Sequence, residues 1–179
     1  GNATTSGVSG SVGHDHLKIA GDHSETTVGE DGPSDTVGVS GGLNIDGNKK
    51  TATLDGKVTT SHSGADGTKT TESIGASVSI NESGRLGTIT GDRTATETAD
   101  GVSTSRTDSV KIDAEKGTIG LSDDLKTTVT NEDGSKVEDN DKHTLNVNVK
   151  DPSIAVTRDT NDKVTDADGN SVADRRGTS

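Results

Sequence analysis

Apolar and polar residues alternate in four short segments of this chain, at 43–46, 78–81, 110–113 and 147–150. An alternation of period two is typical of a β-strand with one buried face. A turn signal follows each segment: Gly47-Asn48, Ser83-Gly84, Glu115-Lys116-Gly117 and Asp151-Pro152. The pattern therefore predicts a strand and a turn at four places along the chain.

A second strand is expected after each turn, at 51–54, 87–90, 118–121 and 154–157. We expect these strands to close at Asp55-Gly56, Gly91-Asp92, Asp123-Asp124 and Arg158-Asp159. A third strand, rich in threonine, should follow, with Thr94, Thr96 and Thr98 on one face and Thr128 and Thr130 on one face in the next copy. Each unit is thus predicted to contain three strands.

Asp-Gly steps recur at nearly even spacing and divide the chain into similar units. They lie 35, 34, 33 and 35 residues apart, at Asp31-Gly32, Asp66-Gly67, Asp100-Gly101, Asp133-Gly134 and Asp168-Gly169. Spacing of this kind indicates an internal repeat of about 34 residues. Because Asp and Gly both tolerate positive φ, we expect type I′ hairpin turns at these steps.

These signals predict an all-β chain with about five repeats. We expect an antiparallel β-meander or sandwich, with a β-solenoid as the alternative. Residues 1–36 form a degenerate first repeat, 37–169 the repeat array and 170–179 a C-terminal stub. Helices are not expected, because no segment has apolar residues at a spacing of 3.6.

Composition limits how such a chain can be held together. Phe, Tyr, Trp, Met and Cys are all absent, and 16 Val, 8 Ile and 7 Leu make up about 17% of the 179 residues. A fraction this low is close to that of disordered proteins. Oligomerisation is a common remedy for a weak core, so we expect neighbouring copies to order the chain.

Charge and chain boundaries bear on partners and location. The net charge is -12, which disfavours nucleic acid because phosphates are bound mainly by Lys and Arg. No apolar run is long enough to cross a bilayer. The chain begins at Gly1 and contains no Met, which favours an extracellular protein secreted after removal of a leader.

Four residues near the C-terminus have oxygen ligands at a spacing that suits calcium: Asp166, Asp168, Asn170 and Asp174. The segment resembles the acidic loops of calcium-binding repeats, although an EF-hand frame does not fit it. Apart from calcium, no cofactor is predicted. Asn2 and Asn81 lie in N-glycosylation sequons, which apply only if the producer is eukaryotic.

Other motifs carry weaker hypotheses. His14 and His16, with His23 nearby, would place two imidazoles on one strand face, as a transition metal requires. The segment 38–42 matches Gly-x-Ser-x-Gly, but strand and turn signals follow it instead of a helix, so we predict that the chain is not an enzyme. Thr-x-Thr pairs, including Thr51/Thr53, Thr68/Thr70 and Thr88/Thr90, would allow ice or a polysaccharide to bind.

The sequence thus favours an extracellular structural subunit that assembles with itself through β-strand pairing into a fibre, sheath or matrix. The alternative is a calcium-stiffened binding module of a secreted adhesin. A third hypothesis is an acidic disordered chain that orders on a mineral or a cationic partner. The predicted partners are further copies of the chain, with cations and polysaccharide as additional candidates.

Overall fold

Eleven β-strands account for most of the chain in the computed structural model, which describes residues 1–30 and 32–178. No helix occurs in these residues. The strands are β1 Asn2–Val12, β2 His16–Val28, β3 Ser34–Asp46, β4 Thr51–Ser63, β5 Lys69–Ile80, β6 Leu86–Ala99, β7 Val102–Asp113, β8 Thr118–Thr130, β9 Lys136–Asn148, β10 Ser153–Thr165 and β11 Ser171–Thr178.

The strands form one antiparallel sheet in which every strand pairs with its neighbours in sequence, in the order β1 to β11. Short hairpin loops join them, so the sheet is a meander with β1 and β11 at its two open edges. All contacts between the described strands are between consecutive strands. The predicted antiparallel meander is confirmed, whereas the described strands form neither a second layer nor a solenoid.

Two strands, not three, lie between successive Asp-Gly steps. The predicted closing steps Asp55-Gly56, Gly91-Asp92, Asp123-Asp124 and Arg158-Asp159 all lie inside β4, β6, β8 and β10. Pairing continues without interruption past them: Gly56, for example, lies opposite Gly41 on β3 and Ala76 on β5. The expectation of three strands was wrong because hydrogen bonding to both neighbouring strands outweighs the local turn preference of Asp and Gly.

Loops occupy two opposite ends of the sheet. The loop at Asp100-Gly101 and those that contain Gly32, Gly67, Gly134 and Gly169 share one end, here called the Asp-Gly end; Asp31 itself lies outside the described residues. The predicted turns after 43–46, 78–81, 110–113 and 147–150 are confirmed at the opposite end. Strands β2 to β10 have 12 to 14 residues each, and the repeat length of about 34 residues stays a prediction.

Only one Asp-Gly step described by the structure adopts the expected type I′ geometry. Asp100 and Gly101 have φ of 49° and 76°. At the loops that contain Gly67, Gly134 and Gly169, the glycine alone has positive φ, and its N–H donates to the carbonyl three residues earlier. These are three-residue loops with a type I turn followed by a left-handed glycine, a common alternative in hairpins.

A matched pair of glycine substitutions measures how tightly these loops are built. Gly67→Ala, where nothing lies within 4 Å of the added Cβ, should cost about 1 kcal/mol, since only backbone strain is added. At Gly101 the added Cβ would lie 2.6 Å from the carbonyl oxygen of Thr130. We therefore expect Gly101→Ala to lower the free energy of unfolding by at least about 1 kcal/mol more. Urea unfolding of both variants checks this; equal losses would contradict it.

The sheet is a single layer without a hydrophobic core. No apolar side chain among the described residues is buried, and the one buried polar side chain is that of Ser73. The accessible surface of 11786 Å² far exceeds the roughly 8,100 Å² expected for a folded monomer of 18.1 kDa. A large area of each molecule is therefore uncovered.

Candidate assembly surfaces

The two faces of the sheet differ sharply in chemistry. Directly paired residues lie on the same face, so the register places all Val, Ile and Leu residues on one face, except Val28 at a strand end and Val149 in a turn. We call this the apolar face. The other, the hydroxyl face, carries mainly Ser, Thr, Asn, Gly and charged residues.

Aliphatic side chains form a continuous row across nine strands, β2 to β10, on the apolar face near the end opposite the Asp-Gly end. Gly10 continues this row on β1. From β1 to β10 this middle row is Gly10, Ile19, Leu43, Leu54, Val78, Ile89, Ile112, Ile119, Val147 and Ile154. A shorter outer row on β1 to β6 consists of Val12, Leu17, Ile45, Ala52, Ile80 and Leu86.

The next row lies beside the middle row, on the side of the Asp-Gly end, and its two halves differ in side-chain size. On β2 to β6 it contains only small residues, here called the glycine trough: Gly21, Gly41, Gly56, Ala76 and Gly91. On β7 to β10 it contains only large ones, here called the aliphatic ridge: Val110, Leu121, Leu145 and Val156. Together with Val8 on β1, these three rows make up the apolar band.

The apolar band is open to solvent in the single chain. Leu54 is 62% exposed, Val156 62% and Ile154 73%. From strand and residue spacings, two rows that cross ten strands and one row that crosses six cover about 830 Å². Monomeric proteins rarely expose a contiguous apolar patch of this size, and such patches usually mark interaction sites.

Charged residues occupy the half of the apolar face nearer the Asp-Gly end. Arg93 Nε lies 2.6 Å from Glu72 Oε1. Arg158 forms a bidentate ion pair with Asp141, in which Nη2 and Oδ2 are 2.7 Å apart. The hydrogen bond from Arg158 is the main cause that lowers the pKa of the Asp141 carboxyl. Because these side chains remain partly exposed to solvent, such pairs stabilise the sheet little.

A groove of about 650 Å³ lies across β3 to β8 in this charged half. Val37, Ala95 and Leu125 supply apolar lining, and Glu72 and Arg106 are among its charged groups. The volume is within the range of small-ligand pockets. No group of three or more His, Asp or Glu side chains that could hold a metal ion was found in the part of the chain that the structure describes.

Cross-strand hydroxyl pairs cover the hydroxyl face. Oxygen–oxygen distances are 2.7 Å for Ser77–Thr90 and for Ser109–Ser122, and 3.1 to 3.2 Å for the pairs that Thr94, Thr96 and Thr98 make with β7. The predicted common faces of Thr94, Thr96 and Thr98 and of Thr128 and Thr130 are confirmed. Thr68 lies one residue before β5, so the Thr68/Thr70 pair does not lie within one strand.

Strand β1 is an open edge without charged side chains. Gly1 O and Gly13 N bond to β2, so by the antiparallel alternation the N–H and C=O groups of even-numbered residues point away from the sheet. Residues 2–12 contain no Asp, Glu, Lys, Arg or Pro. Natural edges are usually protected by such residues, so β1 is a template for a further strand.

Strand β11 is a shorter and more protected edge. It has eight residues, among them Asp174, Arg175 and Arg176. Asp166 N bonds to Asn170 O across the preceding loop, so odd-numbered residues of β11 direct their backbone groups outward. Its three charged side chains make this the weaker of the two pairing edges.

The residues predicted to bind calcium do not converge on one point. Asp166 closes the β10–β11 loop: its carboxylate accepts bonds from Asp168 N at 3.0 Å, Asn170 N at 2.8 Å and Asn170 Nδ2 at 3.0 Å. Asp174 lies on β11 and pairs with Arg176 at 2.6 Å. Protein groups already occupy two of the four side chains, and calcium binding stays a prediction.

Loop aspartates of this type make the sheet sensitive to acid. Hydrogen bonds from Thr68, Ser135 and Asn170, respectively, lower the pKa of Asp66, Asp133 and Asp166. The stability they contribute is present above the ordinary pKa of 3.8 and is lost as the pH falls through the lowered values. Asp139 acts in the opposite sense, since burial and then the facing Asp162 raise its pKa.

We therefore expect strand content to fall as the pH is lowered below about 4, since the loop aspartates outnumber Asp139. Circular dichroism between pH 7 and pH 2 checks this. Asp133→Asn should show a smaller acid response than the parent chain, because one of the titrating contacts is removed. Strand content that stays constant or rises down to pH 2 would contradict the expectation.

The two predicted glycosylation sites differ in surroundings. Asn2 is the first residue of the open edge β1. Asn81 begins the β5–β6 loop; its Oδ1 accepts from Ser83 N and Arg85 N at 3.0 Å, and its Nδ2 donates to Glu115. A glycan on Asn81 would replace one of the two hydrogens of Nδ2, the atom that donates to Glu115. Glycosylation stays a prediction at both sites.

The remaining motifs are dispersed. His14 lies in the β1–β2 turn, while His16 and His23 lie on opposite faces of β2, so the expected pair of imidazoles on one strand face is wrong. Residues 38–42 lie inside β3, which is followed by β4 and not by the helix that a nucleophile elbow needs.

Comparison of the chain with protein-family models, curated proteins and solved structures finds no match. Among the residues that the structure describes, there is no helix of the length and apolar character needed to span a membrane. The candidate surfaces are therefore defined by the geometry of the sheet alone.

Proposed function

We propose that this chain is an extracellular structural subunit whose copies join through β-strand pairing into a fibre, sheath or matrix. The observation that carries the proposal is the sheet with two open edges, one of them free of charge. A chain without a core gains little from folding alone. Pairing between copies adds main-chain hydrogen bonds at the edges.

The free edge of β1 is complementary to itself. An antiparallel pair of β1 strands centred on Gly7 puts Thr4 opposite Gly10 and Ser6 opposite Val8 of the second copy. All of these are even-numbered residues with outward backbone groups, so the ladder forms without a change of register. The apolar faces of the two copies then lie on the same side of a continuous sheet.

The odd number of strands determines how such a sheet can grow. Strands β1 and β11 run in the same direction, so simple translation of a copy would create a parallel junction. Alternating β1–β1 and β11–β11 junctions keep the whole sheet antiparallel, which is the more stable pairing per residue. The polymer is therefore a chain of dimers, joined strongly through β1 and more weakly through β11.

Electron microscopy of the purified chain, combined with sedimentation velocity over a range of concentrations, tests this function. We expect single chains in dilute solution, dimers as the concentration rises and elongated particles at high concentration. Discrete particles of one chain at every concentration would overturn the proposal.

Calcium titration separates the alternative function. A binding module stiffened by calcium would gain thermal stability with saturable stoichiometry. For the structural subunit we expect assembly to depend on protein concentration, and no saturable stabilisation by calcium. A saturable gain that is lost in Asp166→Asn would favour the module.

A further inference from the structure

We infer that two copies of the chain stack through their apolar bands, with the aliphatic ridge of each copy seated in the glycine trough of the other. This contact uses a face of the sheet, whereas the proposed function uses its edges. The occupant is therefore a second copy of the same chain, and the product is a two-layered sheet.

The positions of trough and ridge are related by symmetry about the central strand. Strand β6 has five strands on each side, and a two-fold axis along it brings β4 over β8 and β3 over β9 of the second copy. Gly56 then faces Leu121, and Gly41 faces Leu145. A large side chain thus meets a position without one at each crossing, and the same contact occurs twice, as in an isologous interface.

The remaining strand pairs, β2 with β10 and β5 with β7, extend the same match. Gly21 on β2 faces Val156 on β10 of the second copy, and Ala76 on β5 faces Val110 on β7. Alternation of large and small residues across facing layers is what close packing requires. In the middle row, the axis places aliphatic residues on aliphatic residues, for example Leu54 on Ile119.

The twist of the sheet is compatible with this stacking. A two-fold rotation preserves the hand of the twist, so facing strands remain nearly parallel across the width of the sheet. Aligned packing of this kind is common in two-layered β-proteins, with sheets about 10 Å apart. In this arrangement the ridge side chains of the second copy fill the trough, and no other side chains are needed there.

The area is sufficient for a stable dimer. A band of about 830 Å² on each copy gives roughly 1,700 Å² in total, within the range for stable interfaces of ordinary size. The hydroxyl face offers no comparable apolar area, because its side chains are mainly polar. Many of its hydroxyl groups already bond to each other. The apolar face is thus the one that remains to be covered.

Space at the trough allows a sharp test with a matched control. A Cβ added at Gly56 or at Gly38 would lie 3.9 Å from its nearest neighbours, which is ordinary contact. Gly56 is in the trough, whereas Gly38 lies on the hydroxyl face of β3. Valine at either position suits a strand and should not destabilise the single sheet. Only Gly56→Val fills the space meant for Leu121 of the second copy.

The experiment is sedimentation velocity in a Thr4→Pro background, which weakens pairing at β1, at concentrations below those at which edge pairing occurs. We expect this parent to dimerise, Gly56→Val to weaken its dimer at least about tenfold, and Gly38→Val to leave the dimer unchanged. A parent that stays monomeric, or a Gly56→Val dimer as tight as the parent's, would overturn the inference. If edge pairing fails, the unmodified chain forms no elongated particles, so this failure is distinguished from a failure of stacking.

A second pair of variants guards against a misfolded mutant. Leu121 and Leu145 are direct partners on the apolar face, and Ser122 and Thr144 are direct partners one residue away on the hydroxyl face. Leu121→Lys with Leu145→Glu should abolish the dimer, while Ser122→Lys with Thr144→Glu should retain it. Equal loss in both would overturn the inference.

Phosphatidylcholine vesicles distinguish a lipid from a second copy as the occupant. We expect the Thr4→Pro parent to remain in solution when vesicles are floated, because the band is filled by its counterpart. If the parent floats with the vesicles, and Gly56→Val floats as well or better, the inference is overturned. The added apolar surface of Gly56→Val would favour binding to lipid but not the dimer.

Discussion

The Thr4→Pro variant is expected to lose edge pairing while its own sheet stays intact. Thr4 is an even-numbered residue of β1, so its N–H points away from β2, and proline is tolerated at such an edge position. In a β1–β1 junction each copy loses one hydrogen bond. At about 1 kcal/mol for each bond, two losses weaken the junction about thirtyfold, and the two rings add steric hindrance.

Sedimentation equilibrium of Thr4→Pro and Thr4→Val checks this expectation. Thr4→Val keeps the N–H and the branched side chain, so it should assemble like the original chain. Circular dichroism should show the same strand content in both. Elongated particles of Thr4→Pro at the concentrations that suffice for the original chain would show that β1 is not the pairing edge.

A proline in the middle of the sheet should break it locally and not as a whole. Thr104 on β7 lies between Glu97 on β6 and Thr127 on β8. We expect Thr104→Pro to destabilise these strands by on the order of 3 kcal/mol, since a ladder bond is lost and the ring clashes with the neighbouring chain. Strands β1 to β4 should remain, because each described strand contacts only its neighbours in sequence.

Hydrogen exchange resolved by peptide measures the outcome. Protection should fall in β6, β7 and β8 of Thr104→Pro and persist in residues 2–63, whereas Thr104→Val should match the original chain throughout. Loss of protection from all eleven strands at once would mean that the sheet folds as one cooperative unit.

The alternation of apolar and polar residues and the loop residues were enough to predict an antiparallel meander. The number of strands was predicted wrongly because Asp55-Gly56 and Gly91-Asp92 were interpreted as turns. A glycine has the same local preference in a turn and in the middle of a paired strand. Which of the two it adopts depends on pairing with distant residues such as Gly41 and Val110.

The apolar band was missed for the same reason, although the sequence contains a signal for it. An aliphatic residue and a glycine are two positions apart at Ile19/Gly21, Gly41/Leu43, Leu54/Gly56 and Ile89/Gly91. Residues two apart share a strand face. Once these segments are accepted as continuous strands, the trough follows from the sequence, but its alignment across strands requires the register.

Surface chemistry near the loops was less predictable. The spacing of Asp166, Asp168, Asn170 and Asp174 suggested a set of ligands, whereas the structure shows Asp166 closing its own loop and Asp174 paired with Arg176. Short polar side chains in loops bond readily to nearby backbone groups, and sequence spacing does not reveal that competition.

Hydrogen exchange of the unmodified chain at two protein concentrations tests the central claim most directly, namely that ladders shared between copies hold this sheet together. We predict that amides of the even-numbered residues of β1 exchange freely when the chain is dilute and become protected when it is concentrated. A dilute single chain with β1 and β11 fully protected, and with cooperative melting at high temperature, would contradict the account.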